Sequence, residues 1–213
     1  IPFSAFHGAA GTTLDLTKVQ SLRFGVPGRM ASPVWLDQIR LGCANDVIVT
    51  SAADSGAGSL RKALGSACTN GTIHIAAALA NQTITLTSGP VTLSKNVIID
   101  GSAASGLTIS GNHTDRVFIV NAGTTATLRA LKIADGYGFQ LAGGVLNNGN
   151  LTLDHVTVTG NTMATNAGDY WQGGGGIYNG DGATLQLVDS TVANNNARWS
   201  GGGIYSFFNT TTT

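Results

Sequence analysis

The stretch Gly143-Gly144-Val145-Leu146-Asn147 decides the fold, because it recurs as Gly175-Gly176-Ile177-Tyr178-Asn179 and as Gly202-Gly203-Ile204-Tyr205-Ser206. Val145 and Ile177 are 32 residues apart, and Ile177 and Ile204 are 27 residues apart. A period of about 30 residues that contains several short strands is typical of a solenoid, in which each coil buries its apolar side only by stacking on the next coil. The repeat therefore predicts an all-β fold, a right-handed parallel β-helix.

The sequence between these motifs has further regular features. Residues 150–158 and 183–192 alternate apolar and polar side chains, which predicts strands with one set of side chains in a core and the other in solvent. Each segment closes on a turn that carries asparagine, Asn161 in the first and Asn194 with Asn195 in the second. Asparagines at equivalent turns can form hydrogen-bonded ladders along a solenoid axis. The Gly-Gly pairs are expected where the coil bends and a Cβ atom would clash.

Short β-branched runs precede the first motif and predict earlier coils. Gly, Asn, Asp or Ser separates most of them, as expected for strands joined by turns. A β-sandwich would have similar short strands, so it is the Gly-Gly repeat that favours the solenoid. The runs are residues 83–86, 91–93, 97–101, 107–112, 117–120 and 127–133.

One segment, near residues 59–67, is predicted to be a helix that caps the solenoid. Ser59 can serve as its N-cap, and the apolar residues from Leu60 to Ala67 fall on one face. A β-helix needs such a cover, because its first coil otherwise exposes apolar side chains and strand edges.

The two cysteines, Cys43 and Cys68, flank the predicted cap and first strand. An even cysteine count in a chain with few charges is compatible with one disulfide in an oxidising compartment, and two buried free thiols are the alternative. A Cys43–Cys68 bond would pin the cap in place. No Cys-x-x-Cys or paired histidine spacing indicates zinc.

The amino-acid composition limits the classes of function and partner that this protein can have. Only 10% of the residues are charged, against about 25% in an ordinary soluble domain. Eleven basic and eleven acidic residues balance, which argues against nucleic acid or an anionic membrane surface as a partner. No apolar run approaches the roughly 20 residues of a membrane span. We expect a secreted or cell-surface protein.

Residues 1–42 lack the repeat and are predicted to form a domain separate from the β-helix of residues 43–213. Their strand-like runs, at 14–16, 19–26 and 34–41, amount to a partial β-sandwich, which is marginal alone because two or three strands bury little apolar surface. Either the rest of that domain lies upstream of residue 1, or another chain completes it by strand addition.

The last residues, Thr210, Thr211, Thr212 and Thr213, follow a coil with no evident cap. They could carry O-linked sugar or lead into further sequence. Together with the partial sandwich, this end predicts that the chain associates head-to-tail into an oligomer or filament.

The quoted motifs resemble a known group of proteins. The stretch 49–64 (VTSAADSGAGSLRKAL), Ile98-Ile99-Asp100-Gly101 and the Gly-Gly coils resemble bacterial surface right-handed β-helix proteins. The coils are similar to the Gly-Gly-Ala-Ile repeats of chlamydial polymorphic outer-membrane proteins. The resemblance covers about residues 46–206 and implies an adhesin or surface structure. Residues 14–41 resemble the last strands of a jelly-roll carbohydrate-binding module.

Candidate catalytic side chains are scattered in the sequence. A polysaccharide hydrolase or lyase on this fold needs carboxylates and a basic residue that converge on one sugar bond. Solvated turns and outward strand positions account for all the candidates, with His155 expected at the surface of a strand. The sequence thus favours a non-enzymatic module without a cofactor or metal, and a carbohydrate-active β-helix is the alternative. The candidates are Asp100, Asp115, Arg116, Lys132, Asp135, Asp154, His155 and Asp169.

Aromatic residues recur near the glycine-rich turns. Stacked along the axis, they would form a strip suited to sugar rings, or equally to internal packing or subunit contact. They are Tyr170, Trp171, Tyr178, Trp199 and Tyr205.

Thr-x-Thr pairs occur at 83/85, 125/127 and 157/159. Flat threonine arrays on a solenoid can order water against ice. We expect these pairs to fall at different registers of the coil, so that β-propensity is the simpler explanation.

Overall fold

A computed structural model describes residues 42–165, 173–198 and 201–213 of the chain. Residues Asn45–Thr213 form one compact unit, a parallel β-solenoid of about six turns. The predicted β-helix is therefore confirmed. The partial β-sandwich predicted for residues 1–42 lies outside the described residues, which begin at Gly42.

The described residues contain one α-helix, α1 (Leu60–Ser66), and a 3₁₀ turn, Ala77–Leu79. The strands in chain order are β1 (Ala44–Val49), β2 (Ala67–Ile75), β3 (Thr83–Thr85), β4 (Val91–Leu93), β5 (Val97–Asp100), β6 (Thr108–Ser110), β7 (Phe118–Val120), β8 (Thr125–Arg129), β9 (Lys132–Ala134), β10 (Tyr137–Phe139), β11 (Val145–Asn147), β12 (Asn150–Asp154), β13 (Thr157–Thr159), β14 (Thr162–Ala164), β15 (Ile177–Asn179), β16 (Thr184–Val188), β17 (Thr191–Ala193), β18 (Asn196–Ala197), β19 (Ile204–Ser206) and β20 (Thr211–Thr212).

These strands stack into four sheets, and successive coils visit sheets A, B and D in that order, with sheet C between B and D in the later coils. Sheet A is β1-β2-β5-β8-β12-β16-β20, sheet B is β3-β6-β9-β13-β17, sheet C is β10-β14-β18 and sheet D is β4-β7-β11-β15-β19. Sheet C begins only with β10, because the two earlier coils pass directly from sheet B to sheet D. From β2 to β20 the strand pairs are parallel, as stacking of successive coils requires.

The core consists of columns of aligned aliphatic side chains, one from each coil. In sheet A, Ile73, Ile99, Leu128 and Leu153 pair in register and are each 0% exposed. Burial of one such side chain stabilises the fold by about 1.5 to 3 kcal/mol relative to its exposed state. The alternating pattern of residues 150–158 correctly predicted the inward position of Leu153.

A sharp corner separates sheet A from sheet B, and the sequence did not predict it. The segment expected as one strand, 150–158, is divided into β12 and β13 at His155, whose φ is 55°. The inward residues on either side, Leu153 and Val156, are three positions apart, which strict alternation cannot accommodate. Ala130 (φ 50°) and Asp189 (φ 45°) make the same corner in the neighbouring coils.

At the glycine pairs a Cβ atom would clash with the neighbouring coil, as predicted. A Cβ atom on Gly144 would lie 2.6 Å from the carbonyl oxygen of Gly176, and one on Gly176 would lie 2.7 Å from that of Gly203. The asparagine ladder is also present, because Asn161 Nδ2 donates to Asn195 Oδ1 at 2.9 Å in the next coil.

Helix α1 has the predicted N-cap. The backbone N–H of Lys62 donates to Ser59 Oγ at 3.3 Å, which satisfies one of the free donors of the first turn. Leu60 and Ala63 are buried and belong to the same core cluster as the aliphatic columns. The helix is thus continuous with the solenoid core.

Candidate functional site

The last outward position of successive sheet A strands carries a column of ionisable side chains. His74, Asp100, Arg129 and Asp154 are paired in register. Arg129 Nε lies 2.7 Å from Asp154 Oδ2, and His74 Nδ1 lies 3.8 Å from Asp100 Oδ2. Because neighbouring strands are about 4.8 Å apart, groups of opposite charge on adjacent strands fall within ion-pair distance. We call these four residues the charged column.

His155 adjoins the charged column at the corner between sheets A and B. Its Nδ1 lies 2.6 Å from Asp154 Oδ1, and its Nε2 lies 3.8 Å from Asp189 Oδ2. The hydrogen bond with Asp154 raises the pKa of His155. The same bond, and the one from Arg129, lower the pKa of Asp154. His155 is exposed as predicted, but it lies in a turn and not in a strand.

A groove of about 380 Å³ lies at this corner beside His155. Residues 101–107, which link β5 to β6, supply part of the lining of this groove. The corresponding links from β8 to β9 and from β12 to β13 are only two residues long. Lys132, His155 and Thr157 line the groove as well. The side chain of Lys132 is exposed and makes no ion pair or hydrogen bond with any described residue. The fold thus brings two of the predicted basic candidates, Lys132 and His155, into one depression.

The remaining catalytic candidates do not line this groove. Asp135 accepts a hydrogen bond from Ser110 Oγ at 3.1 Å, and Asp115 accepts one from the backbone N–H of Arg116 at 2.8 Å. Asp169 lies outside the described residues. Across the described ranges, no group of three or more His, Cys, Asp or Glu side chains is placed to hold a metal ion.

Sheet D carries a column of apolar and aromatic side chains on its outer face. Tyr178 and Tyr205 are stacked, with ring centroids 5.6 Å apart and an interplanar angle of 17°. Tyr178 is only 8% exposed, and this burial raises the pKa of its hydroxyl group. Most of its ring is therefore engaged in packing. In register order the column is Ile119, Leu146, Tyr178 and Tyr205.

Two phenylalanines extend this aromatic column. The Phe207 ring centroid lies 6.4 Å from that of Tyr178, and Phe208, which is 75% exposed, makes an edge contact with Phe207 at 4.9 Å. The other predicted aromatic residues, Tyr170, Trp171 and Trp199, lie outside the described residues.

The expectation that the Thr-x-Thr pairs fall at different registers is wrong for two of the three pairs. Thr83 and Thr157 stand in one column of sheet B, joined through Thr108 and Lys132. The Thr125/Thr127 pair lies in sheet A. Coils of unequal length hide this alignment, because equal sequence intervals do not correspond to equal positions in the coil.

A cluster that the sequence did not predict joins the residues before α1 to the first full coil. Arg61 Nε lies 2.8 Å from Asp54 Oδ1, and Arg61 also donates to the carbonyl oxygens of Gly89 and Pro90. Burial opposes ionisation of Asp54, but hydrogen bonds from Ser88 and Arg61 and the charge of Arg61 outweigh it and lower the pKa of Asp54 to about 2. Ser88 is 34 positions from Asp54, so no local signal could have linked them.

Both cysteines, Cys43 and Cys68, are disulfide-bonded. At the other end of the sequence, Thr211 and Thr212 form β20 and pair with β16, while Thr210 Oγ1 donates to the carbonyl oxygen of Phe207 at 2.8 Å. Thr211, Thr212 and Thr213 are exposed. Their O-glycosylation stays a prediction.

Comparisons with protein-family models, with curated proteins and with solved structures gave no match to this chain. Within the described ranges, no helix has the length and apolar character needed to cross a bilayer.

Proposed function

We propose that this chain is a non-enzymatic structural and adhesive module of a bacterial surface protein, located outside the cell. The observation that carries the proposal is that the contacts fixing each coil run along the solenoid axis. They include the bond of Asn161 to Asn195, the close approach of Gly144 to Gly176 and the charged column. A stack fixed in this way resists bending and extension as a unit, as a stalk or adhesin body must.

Single-molecule force spectroscopy tests the structural part. The chain is pulled from its two ends, and we expect the coils to detach in steps at a force well above that of an unstructured chain. A featureless extension curve would contradict the proposal. The Asn161→Ala variant should detach at lower force, because it loses the amide group that joins adjacent coils.

We also propose that the chain associates with a second copy of itself through the apolar side chains of β17 and β19. Val192 and Ile204 are partly exposed there, whereas their register partners Val158 and Ile177 are 0% exposed. A second copy in contact with these side chains would remove this apolar surface from water.

Light scattering over a range of concentrations tests this association. We expect oligomers that the Val192→Lys variant loses and that the Gln186→Lys variant keeps, because Gln186 is an exposed outward residue of β16. A strictly monomeric wild type at high concentration would exclude the filament and leave the fold untouched.

A carbohydrate-active protein is the second candidate, favoured by the groove that holds Lys132 and His155. Within the described residues the Lys132 ammonium group has no ion-pair partner, so it can bind the carboxylate of an acidic sugar, and a neutral His155 imidazole beside it can abstract a proton. Release of unsaturated or reducing sugars from a polysaccharide panel would support it, provided that Lys132→Ala and His155→Ala abolish the release. The matched control is Thr191→Ala, in the same column as Lys132 but outside the groove lining.

A further inference from the structure

Two aromatic side chains stand side by side on the outer face of sheet C. Tyr137 is 42% exposed and Phe139 is 46% exposed, while Gly138 between them is buried. Residues two positions apart in a strand point to the same face, about 6.6 Å from each other. The two rings therefore form one exposed patch, which we call the aromatic platform.

Hydrogen bonds fix the backbone of the aromatic platform at both Tyr137 and Phe139. The N–H of Tyr137 donates to the carbonyl oxygen of Asp115 at 2.9 Å. The carbonyl oxygen of Phe139 accepts from the N–H of Leu141 at 3.2 Å and from Arg116 Nη2 at 3.4 Å. Since the backbone is already fixed, a ligand on the rings orders only side-chain rotations, and the entropic cost of binding is small.

Gly138 allows the turn that follows β10 to pack closely against the strand. A Cβ atom at Gly138 would lie 1.4 Å from the carbonyl oxygen of Ala142, so only glycine permits the turn to fold under the strand. The turn residue Gln140 has a φ of 77° and donates its N–H to the carbonyl oxygen of Ala164 at 2.9 Å. The turn is thus anchored to the next coil.

Smaller, polar side chains lie next to the aromatic platform. Tyr137 pairs with Thr162 and Phe139 with Ala164 in the next coil, and Asn196 follows Thr162 in the coil after that. The side chains of Thr162 and Asn196 make no hydrogen bond with any described residue. The two rings therefore border a region of smaller side chains. We call Thr162 and Asn196, which offer a hydroxyl group and an amide group there, the shelf.

The size of the aromatic platform favours a small ring over a protein surface. A buried aromatic side chain covers about 150 to 250 Å², so the exposed fractions of the two rings sum to roughly 130 to 220 Å². A stable protein interface needs about 800 Å² on each partner. One or two sugar rings match the smaller area, with C–H faces against the aromatic rings and hydroxyl groups toward Thr162 and Asn196.

We propose that Tyr137 and Phe139 form a carbohydrate-binding platform that stacks the apolar faces of pyranose rings. The ligand class is a neutral polysaccharide or surface glycan, because the four side chains that form the platform and its shelf carry no charge. This inference rests on the adhesive part of the proposed function and names its site.

Binding is tested on glycan arrays and by pull-down with insoluble cellulose, chitin and xylan. The wild type should bind at least one of these glycans. Tyr137→Ala and Phe139→Ala should each weaken binding about tenfold, a typical loss for an aromatic contact at the centre of a site. Tyr137→Phe should retain most of the affinity, because it keeps the ring. Phe208→Ala is the matched control, since it removes another exposed ring from a different surface.

Each outcome has a distinct meaning. Binding that survives in the Tyr137→Ala/Phe139→Ala double variant would overturn the platform while leaving adhesion in place. A wild type that binds no glycan would overturn both the platform and the adhesive function, but not the structural role, which the force measurement tests separately. Loss of self-association in the double variant, without an effect on glycans, would make the patch a protein interface and overturn the proposal. Circular dichroism confirms that every variant is folded.

Discussion

Asn147 Nδ2 donates a hydrogen bond of 2.7 Å to Asn179 Oδ1, one coil further along the solenoid. Both side chains are 0% exposed. Asn147 also donates to the carbonyl oxygen of Thr184 at 2.9 Å and accepts from the N–H of Gly149 at 3.1 Å. One amide group therefore fixes the corner between sheets D and A and ties it to the next coil.

Replacing this amide should destabilise the fold. We expect Asn147→Ala to lower the free energy of unfolding by about 1 to 3 kcal/mol, because the buried N–H of Gly149 and the amide of Asn179 lose their partner. Urea denaturation measures the change. The neighbouring Asn148→Ala is the control: Asn148 is exposed and its side chain makes no hydrogen bond with described residues, so we expect a change within about 0.5 kcal/mol. Equal losses of unfolding free energy in Asn147→Ala and Asn148→Ala would show that the hydrogen bonds of Asn147 do not stabilise the fold.

The glycine pairs should not tolerate a methyl group. In Gly144→Ala the new Cβ would meet the Gly176 carbonyl oxygen at 2.6 Å and Asn161 Cγ at 2.9 Å, so the coils must move apart. We expect a loss of about 2 to 4 kcal/mol in the free energy of unfolding. Gly65→Ala, in α1 with open space around it, should instead stabilise the protein by up to about 1 kcal/mol. Relative to the wild type, the melting temperature and the urea midpoint should fall for Gly144→Ala and rise for Gly65→Ala.

Asp54 should make the stability depend on acid pH. Its pKa in the folded state is about 2, below the ordinary value of 3.8. A lowered pKa means that the charged carboxylate stabilises the folded state above pH 3.8, and that this contribution disappears as the pH falls toward 2. Melting temperatures measured across this range should fall less steeply for Asp54→Asn than for the wild type. If the melting temperatures of Asp54→Asn and of the wild type fell in parallel with pH, Asp54 would not be the source of the acid dependence.

His155 should contribute stability with the opposite pH dependence. Its pKa is raised above 6.5 by the hydrogen bond with Asp154. The contribution is therefore complete below pH 6.5 and is lost as the pH rises through the folded-state pKa. NMR titration of the imidazole should give a midpoint above 6.5 that drops in Asp154→Asn. A midpoint unchanged by that substitution would show that Asp154 is not the cause.

Part of the candidate site could be predicted from the sequence. Tyr178 and Tyr205 follow the same Gly-Gly motif, so a constant offset from the motif was enough to expect their stacking. Lys132 and His155 carry no such signal, because they belong to different coils and meet only across the corner that Ala130 and His155 itself create. Tyr137 and Phe139 lie in the first strand of sheet C, and the paired strands β14 and β18 share no residue type with it, so no sequence repeat reveals it.

The sequence by itself determined that this protein is a β-solenoid, which side chains of its alternating strands face the core, where glycine pairs exclude a Cβ atom and where an asparagine ladder stands. These features are local: a Cβ that cannot fit, an alternation of apolar side chains, an amide at a turn. Only the tertiary structure decided which outward residues become neighbours. Strands from different coils come within about 4.8 Å of each other regardless of their separation in the chain. Coils of unequal length place Thr83 in the column of Thr157, and Asp100 beside Arg129, at intervals that no count along the sequence reveals.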